Sequence, residues 1–216
     1  MISRILIVDD HPIFRMGMAE LLNHEDDFDV CAVAEDLASA RRAIAEHDLD
    51  LAIIDITLAG DNGLDLVKEI SAGNKNIRTL VLSMHDESVW AERALRAGAK
   101  GYIMKREASE SVISALRNIV DGKIHVSDRM LTLMLDKFHE RSGSPGVPTV
   151  DRLTDRELEV FRLIGAGLAT REVATRLNLG VKTIGTYRDR IKQKLSIKTS
   201  AELSRRAVLW TEGERL

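Results

Sequence analysis

The chain has 216 residues, 44% of them hydrophobic and 30% charged. That length suits one or two domains with a core that needs no disulfide staples, and the composition is too apolar for a disordered chain. The formal net charge of -3 is unevenly spread: residues 1–149 hold 17 Lys+Arg against 25 Asp+Glu, and residues 150–216 hold 14 against 9. An acidic half of -8 followed by a basic half of +5 indicates two modules with different partners, the basic one suited to nucleic acid. The longest apolar runs, such as residues 5–8, fall far short of the roughly 20 residues of a membrane helix. The first residues lack a signal-peptide pattern and Cys31 is the only cysteine, so a reducing cytoplasm is expected, without membrane association.

Short apolar runs at residues 5–8, 30–34, 51–54, 80–82 and 102–104 read as five strands. Between them apolar residues recur at helical spacing, as in Phe14, Met18, Leu21 and Leu22, or Ile113, Leu116 and Val120. This alternation predicts a doubly wound α/β fold with a parallel five-stranded sheet, flavodoxin-like in plan, over residues 1–122. Residues 128–141 read as a connecting helix. Residues 142–149, Ser-Gly-Ser-Pro-Gly-Val-Pro-Thr, hold two of the three prolines and no charge, so residues 123–149 are expected to connect two modules.

Residues 150–216 show no strand pattern. Thr154-Asp155-Arg156-Glu157 is a capping box that starts a helix, which Gly165 and Gly167 are expected to end. A short helix over 170–177, a turn at 178–180 and a helix over 181–195 follow, and Thr199-Ser200-Ala201-Glu202 caps a fourth. Four short helices, two joined by a tight turn, describe a helix-turn-helix module.

In an open parallel sheet, ligands gather beyond the carboxyl ends of the strands. There the chain places Asp9 and Asp10, then Asp55, Ser83 and Lys105. Three carboxylates in one place repel unless a cation compensates, and oxygen ligands with room for water suit Mg2+ partnered with a phosphoryl group. Asp55, on the middle strand, is the candidate nucleophile for an acyl phosphate. Ser83 would then bond one phosphoryl oxygen and Lys105 neutralise another.

With Gly101-Tyr102-Ile103-Met104-Lys105, these residues resemble the receiver domain of response regulators over residues 1 to about 122. The resemblance implies that Asp55 takes phosphate from a sensor histidine kinase. It also implies that Ser83 and Tyr102 move on activation, and that Asp10, Asp55, the Thr57 carbonyl and, through water, Asp9 hold Mg2+. Ala59 and Arg106 stand where prolines are common in that family, which bears on loop stiffness and removes no chemical group.

In the basic half, residues 181–195 carry Ile184, Ile191 and Leu195 on one stripe and cations elsewhere, a pattern that favours a recognition helix in a major groove. Leu153-Thr154-x-Arg156-Glu157, Glu172-Val173-Ala174, Lys182-Thr183-Ile184 and Lys194-Leu195 resemble the LuxR-type helix-turn-helix. Receiver plus this module is similar to the NarL/FixJ class of transcription regulators, and Thr186-Tyr187-Arg188 to its subgroup related to GacA and BvgA. Such regulators bind promoter DNA, and phosphorylation is expected to drive homodimerisation, with Leu203, Ala207 and Trp210 as a stripe for packing or pairing. Gly185 suggests close approach to DNA, and Thr186 and Asp189 suit base contacts. Lys182, Thr183, Tyr187, Arg188, Arg190 and Lys194 suit phosphates.

His11 reads as a packing or solvent residue, Cys31 as a core residue of a buried strand, and residues 85–87 as the start of a helix. Two alternatives stand beside the main reading. One is a regulator whose receiver is only a dimerisation scaffold. The other is a phosphatase of the haloacid-dehalogenase type, which would need a second acid where Thr57 stands.

Overall fold

The computed structural model describes residues 2–58, 60–73, 76–84, 86–140 and 150–213, with side chains to residue 135 in the helix that ends at 140. Two compact units result, Met1–Glu140 and Arg141–Leu216. The first runs β1 (Ser3–Val8), α1 (Pro12–Asn23), β2 (Phe28–Ala34), α2 (Leu37–Glu46), β3 (Leu51–Asp55), β4 (Thr57–Leu58), β5 (Asp61–Asn62), α3 (Gly63–Ala72), β6 (Arg78–Ser83), α4 (Glu87–Ala97), β7 (Gly101–Met104), α5 (Ala108–Val120) and α6 (Asp128–Glu140). Its long strands form one parallel sheet in the order β2-β1-β3-β6-β7, the doubly wound arrangement that the alternation predicts. Every residue of central β3 is buried, as a strand covered on both faces requires. Ile5, Ile7, Ile53, Leu80 and Ile103 meet Met18 and Leu22 of α1 and Val112, Leu116 and Ile119 of α5 in one core.

Three local features differ from the sequence reading. Cys31 is half-buried instead of fully buried, because β2 lies at the sheet edge. The β4–β5 hairpin is too short to leave an alternating pattern, yet it sets the start of α3: Asn62 Oδ1 caps the Leu64 amide at 2.9 Å, and the Gly63 amide donates to the Ile56 carbonyl at 2.7 Å. Residues 123–140 pack with the first unit. The Tyr102 amide donates to the His125 carbonyl at 3.0 Å, the His125 amide donates to the Lys100 carbonyl at 2.9 Å, and Met130 is fully buried. Leu131 stays exposed and Met134 is half-buried. Ala59, His85 and the expected linker, together with Arg141, lie outside the described residues; Asp86 caps α4 from Glu87 onward.

The second unit holds α7 (Asp155–Gly165), α8 (Thr170–Arg176), α9 (Val181–Lys194) and α10 (Ser200–Gly213). Its first capping box is reciprocal: the Glu157 amide donates to Thr154 Oγ1 at 3.3 Å and the Thr154 amide to Glu157 Oε2 at 2.8 Å. Gly167, with φ of 87°, turns the chain after α7. Gly165 has a different role, since a Cβ there would lie 2.1 Å from Thr211 Oγ1 and 2.4 Å from the Ala207 carbonyl oxygen. It lets α7 and α10 touch. The turn between α8 and α9 passes through Asn178 at φ 49°, and Ile184, Ile191 and Leu195 are fully buried, which leaves the other faces of α9 outward.

Candidate phosphoacceptor site and nucleic-acid interface

The sheet brings the predicted acidic residues together beyond its carboxyl edge. Lys105 Nζ lies 2.6 Å from Asp9 Oδ2 and 2.6 Å from Asp55 Oδ2, with all three side chains almost wholly buried. Phe14 places its ring 4.6 Å from the same ammonium. Burial pushes the Asp55 carboxyl up to about 6, the Lys105 charge pulls it back, and Asp9 adds repulsion. At Lys105 burial works against the charge, but Asp55 and Asp9 outweigh it and hold the ammonium above its ordinary range. The Asp55 carboxylate is also oriented, since its Oδ1 accepts from the Thr57 amide at 3.2 Å. A nucleophilic oxygen held in this way needs little reorganisation to attack phosphorus.

Ser83 and Tyr102 are both buried, and their side chains are hydrogen-bonded to each other. Burial pushes the Tyr102 phenol far above its ordinary range, so it stays neutral. The two residues expected to move together are thus in contact.

Sequence reasoning missed two members of this site. His11 Nδ1 hydrogen-bonds to Asp9 Oδ1 at 3.2 Å and pairs with the buried Asp10 Oδ1 at 2.7 Å. The ligand atoms of Asp9, Asp10, His11 and Asp55 all lie within 4.8 Å of one another. Three carboxylates gathered this closely, with their oxygens facing one another, are a donor set that fits a divalent cation. Arg15, one helical turn behind the acidic pair, donates to the Asp9 carbonyl and approaches Glu35 at 3.8 Å. It clamps the loop that carries Asp9 and Asp10, a role that a lone arginine on an amphipathic helix does not announce.

On α9, Lys182, Thr183, Thr186, Asp189 and Arg190 are exposed, and Gly185, Tyr187 and Arg188 are half-buried. A Cβ on Gly185 would meet nothing within 4 Å, so the domain itself does not require glycine there. The Thr186 hydroxyl donates to the Lys182 carbonyl at 3.2 Å, and Asp189 pairs with Lys192 at 2.9 Å. Two expectations change. Lys194 Nζ sits 2.6 Å from Glu157 Oε2, whose side chain is buried, so its charge holds the α7 cap together. Burial alone would raise the Glu157 carboxyl, but Lys194 and the Thr154 amide outweigh it and hold it low. Leu203 and Ala207 are fully buried beneath α7 and cannot form a pairing stripe, while Trp210, half-buried, packs on Phe161 with ring centroids 5.6 Å apart.

An acidic, lysine-bearing pocket at the edge of this sheet, followed by a helix-turn-helix unit, is the architecture of a DNA-binding response regulator. The chain belongs to the response-regulator family: residues 5–117 match the response regulator receiver domain, and residues 151–207 match the bacterial regulatory proteins of the luxR family. It is 34% identical over 204 residues to the oxygen regulatory protein NreC of Staphylococcus carnosus, covering 93% of this chain and 94% of that one. A LuxR-family two-component response regulator from Aurantimonas sp. SI85-9A1 has a structure similar to 64% of this chain and 99% of its own, with 30% identity and a TM-score of 0.59. RcsB from Salmonella enterica serovar Typhimurium, bound to promoter P1flhDC in the presence of phosphomimetic BeF3-, is similar over 94% of this chain and 96% of its own, with 25% identity and a TM-score of 0.58. Among the described residues no helix is long and apolar enough to cross a membrane.

Proposed function

We propose that Asp55 accepts a phosphoryl group from a sensor histidine kinase and that this modification switches promoter binding by the second unit, so as to regulate transcription in the cytoplasm. The observation that carries the reading is the Lys105 ammonium at 2.6 Å from both Asp9 and Asp55, beside a Ser83–Tyr102 hydrogen bond. One Asp55 oxygen attacks phosphorus and the histidine leaves as the P–N bond breaks. Lys105 then turns from Asp55 to a phosphoryl oxygen, and Ser83 is placed to hydrogen-bond another. Asp10, Asp55 and the Thr57 carbonyl, with Asp9 through water, would hold Mg2+, which supplies charge neutralisation for the transferring group. The chain takes up phosphate and is not a turnover enzyme; the position a phosphatase would fill with a second acid is Thr57. The BeF3- and promoter in the RcsB structure support a phosphorylated form as the one that binds DNA, and the reading adds that this form is a homodimer.

Full-length protein incubated with acetyl phosphate and MgCl2 should gain the mass of one phosphoryl group, and Asp55→Asn should gain none. Phosphorylated protein should bind its promoter more tightly than the unmodified chain. A mass gain retained in Asp55→Asn would overturn the site, and a mass gain without a change in DNA affinity would favour the scaffold alternative.

A further inference from the structure

The first turn of α7 reaches both helices of the helix-turn-helix through two neighbouring residues. Glu157 holds Lys194 at the end of α9, and Arg156 holds the end of α8. One guanidinium nitrogen of Arg156 donates to Glu159 Oε2 at 2.6 Å, and another donates to the Leu177 carbonyl at 3.2 Å. Leu177 caps α8, so its carbonyl stands where the helix has no further amide to offer. The next residue, Asn178, turns the chain at φ 49°, and α9 starts at Val181. The Arg156 side chain is 14% exposed and that of Glu159 1%, so the tie is made inside the unit. It is a poor source of stability. Burial pushes the Glu159 carboxyl above its ordinary range even though Arg156 and Arg162 pull it down. A buried pair of that kind gains little over apolar side chains of similar volume, and what it adds is the geometry it fixes.

We infer that Arg156 is a positioning residue for sequence reading: anchored on Glu159, its guanidinium holds the carbonyl that ends α8 and so fixes the turn that sets α9 against α8. The inference rests on α9 being the helix that enters the groove, and adds the residue that aims it. In a helix-turn-helix the second helix reads bases while the first crosses the backbone, so the angle between them decides which side chains reach base edges. Flexible cations follow phosphates through a small change of that angle; base contacts do not. The planar fork of arginine serves two acceptors at once in set directions, which the single ammonium of lysine does not reproduce. Arg156 therefore acts through α9 and needs no contact with DNA.

The test compares wild type, Arg156→Lys and the double variant Arg156→Met with Glu159→Met, as full-length proteins treated with acetyl phosphate and MgCl2. Fluorescence anisotropy measures binding to a duplex that the wild type enriches from a random-sequence pool, and to a scrambled duplex of equal length, at several salt concentrations. The ratio of the two affinities should fall roughly tenfold in both variants, the scale of one lost base contact, while affinity for the scrambled duplex and the salt slope stay at wild-type values. Arg156→Lys keeps a cation for Glu159, and the double variant removes both charges at similar volume, so both should fold; circular dichroism and thermal unfolding check this. An unchanged ratio in folded variants would overturn the inference. Equal losses on both duplexes, the mark of a merely structural role, would do the same, as would a shallower salt slope, the mark of a direct phosphate contact. Loss of the fold in both variants would assign the pair to stability and overturn it as well. Failure of the wild type to enrich any duplex would instead remove the reading of α9 beneath it, and the inference with it.

Discussion

At the scale of single residues, the site is a balance of burial against charge, and Asp55 shows the cost. Its carboxyl sits at about 6 in the folded protein, against 3.8 for an unperturbed aspartate, because burial outweighs the Lys105 attraction. Between those values the folded state binds more protons than the unfolded one, so this group makes stability fall as pH rises from about 4 to about 6, with the full penalty above 6. Two units correspond to about 3 kcal/mol. Urea unfolding without metal should therefore show Asp55→Asn gaining stability over wild type as pH rises through that window, and MgCl2 should shrink the gap. Parallel profiles would refute the burial account. The cations of α9 divide on similar grounds. Lys194 neutralises Glu157 under the α7 cap, so Lys194→Ala should lower the stability of the second unit by ~1–2 kcal/mol, a value reduced for the partial exposure of the lysine. Exposed Arg190→Ala should leave stability within about 0.5 kcal/mol and flatten the salt dependence of DNA binding by roughly one counterion. Thermal unfolding and binding titrations of the two variants separate the roles; equal salt-slope losses would mean that Lys194 also meets phosphate.

Among elements, two glycines at helix positions have opposite meanings. Gly63 starts α3 so close to β3 that a Cβ would fall 1.9 Å from the Asp55 carbonyl oxygen and 2.9 Å from Ile54 Cγ2. Gly63→Ala should destabilise the first unit by ~1–3 kcal/mol and slow phosphate uptake, since the strain falls on the nucleophile's own backbone. Gly185 in α9 has open space around it, so Gly185→Ala should stabilise the second unit by up to ~1 kcal/mol. If DNA approaches the backbone there, the same variant should bind its promoter more weakly despite being more stable, and unchanged affinity would remove the close-approach reading. The contrast marks what the sequence could reveal. Asp9, Asp10, Asp55, Ser83 and Lys105 were legible because strand ends follow apolar runs, and the runs are visible in one dimension. Gly63, Gly165 and the β4–β5 hairpin were not, because a close approach depends on a partner distant in sequence and two-residue strands have no period. Lys194 looked like its neighbouring cations, for its partner Glu157 lies 37 residues away. The apolar stripe of α10 was visible, but not whether it meets α7 or another chain.

For the whole molecule, the charge division sets the terms of DNA binding. The chain joins a half of -8 to a half of +5, and phosphorylation makes the first half more negative still. Bringing two copies together therefore works against their acidic halves, and a gain must come from contacts made only in the phosphorylated state. With Leu203 and Ala207 buried in the fold of each copy, those contacts lie elsewhere than on that stripe. On paired half-sites a dimer sets two basic modules on the phosphate backbone, and each contributes its own released counterions, at a slope of about -0.9 per neutralised phosphate. The logarithm of affinity against the logarithm of salt concentration should then be about twice as steep for phosphorylated as for unmodified protein on paired half-sites. On a single half-site the two slopes should agree, because one module binds in either state. Fluorescence anisotropy on both DNAs, at several potassium chloride concentrations and with sedimentation to count copies, measures this directly. Equal slopes on the paired site, alongside tighter binding, would mean that phosphate strengthens one module's grip without assembling two.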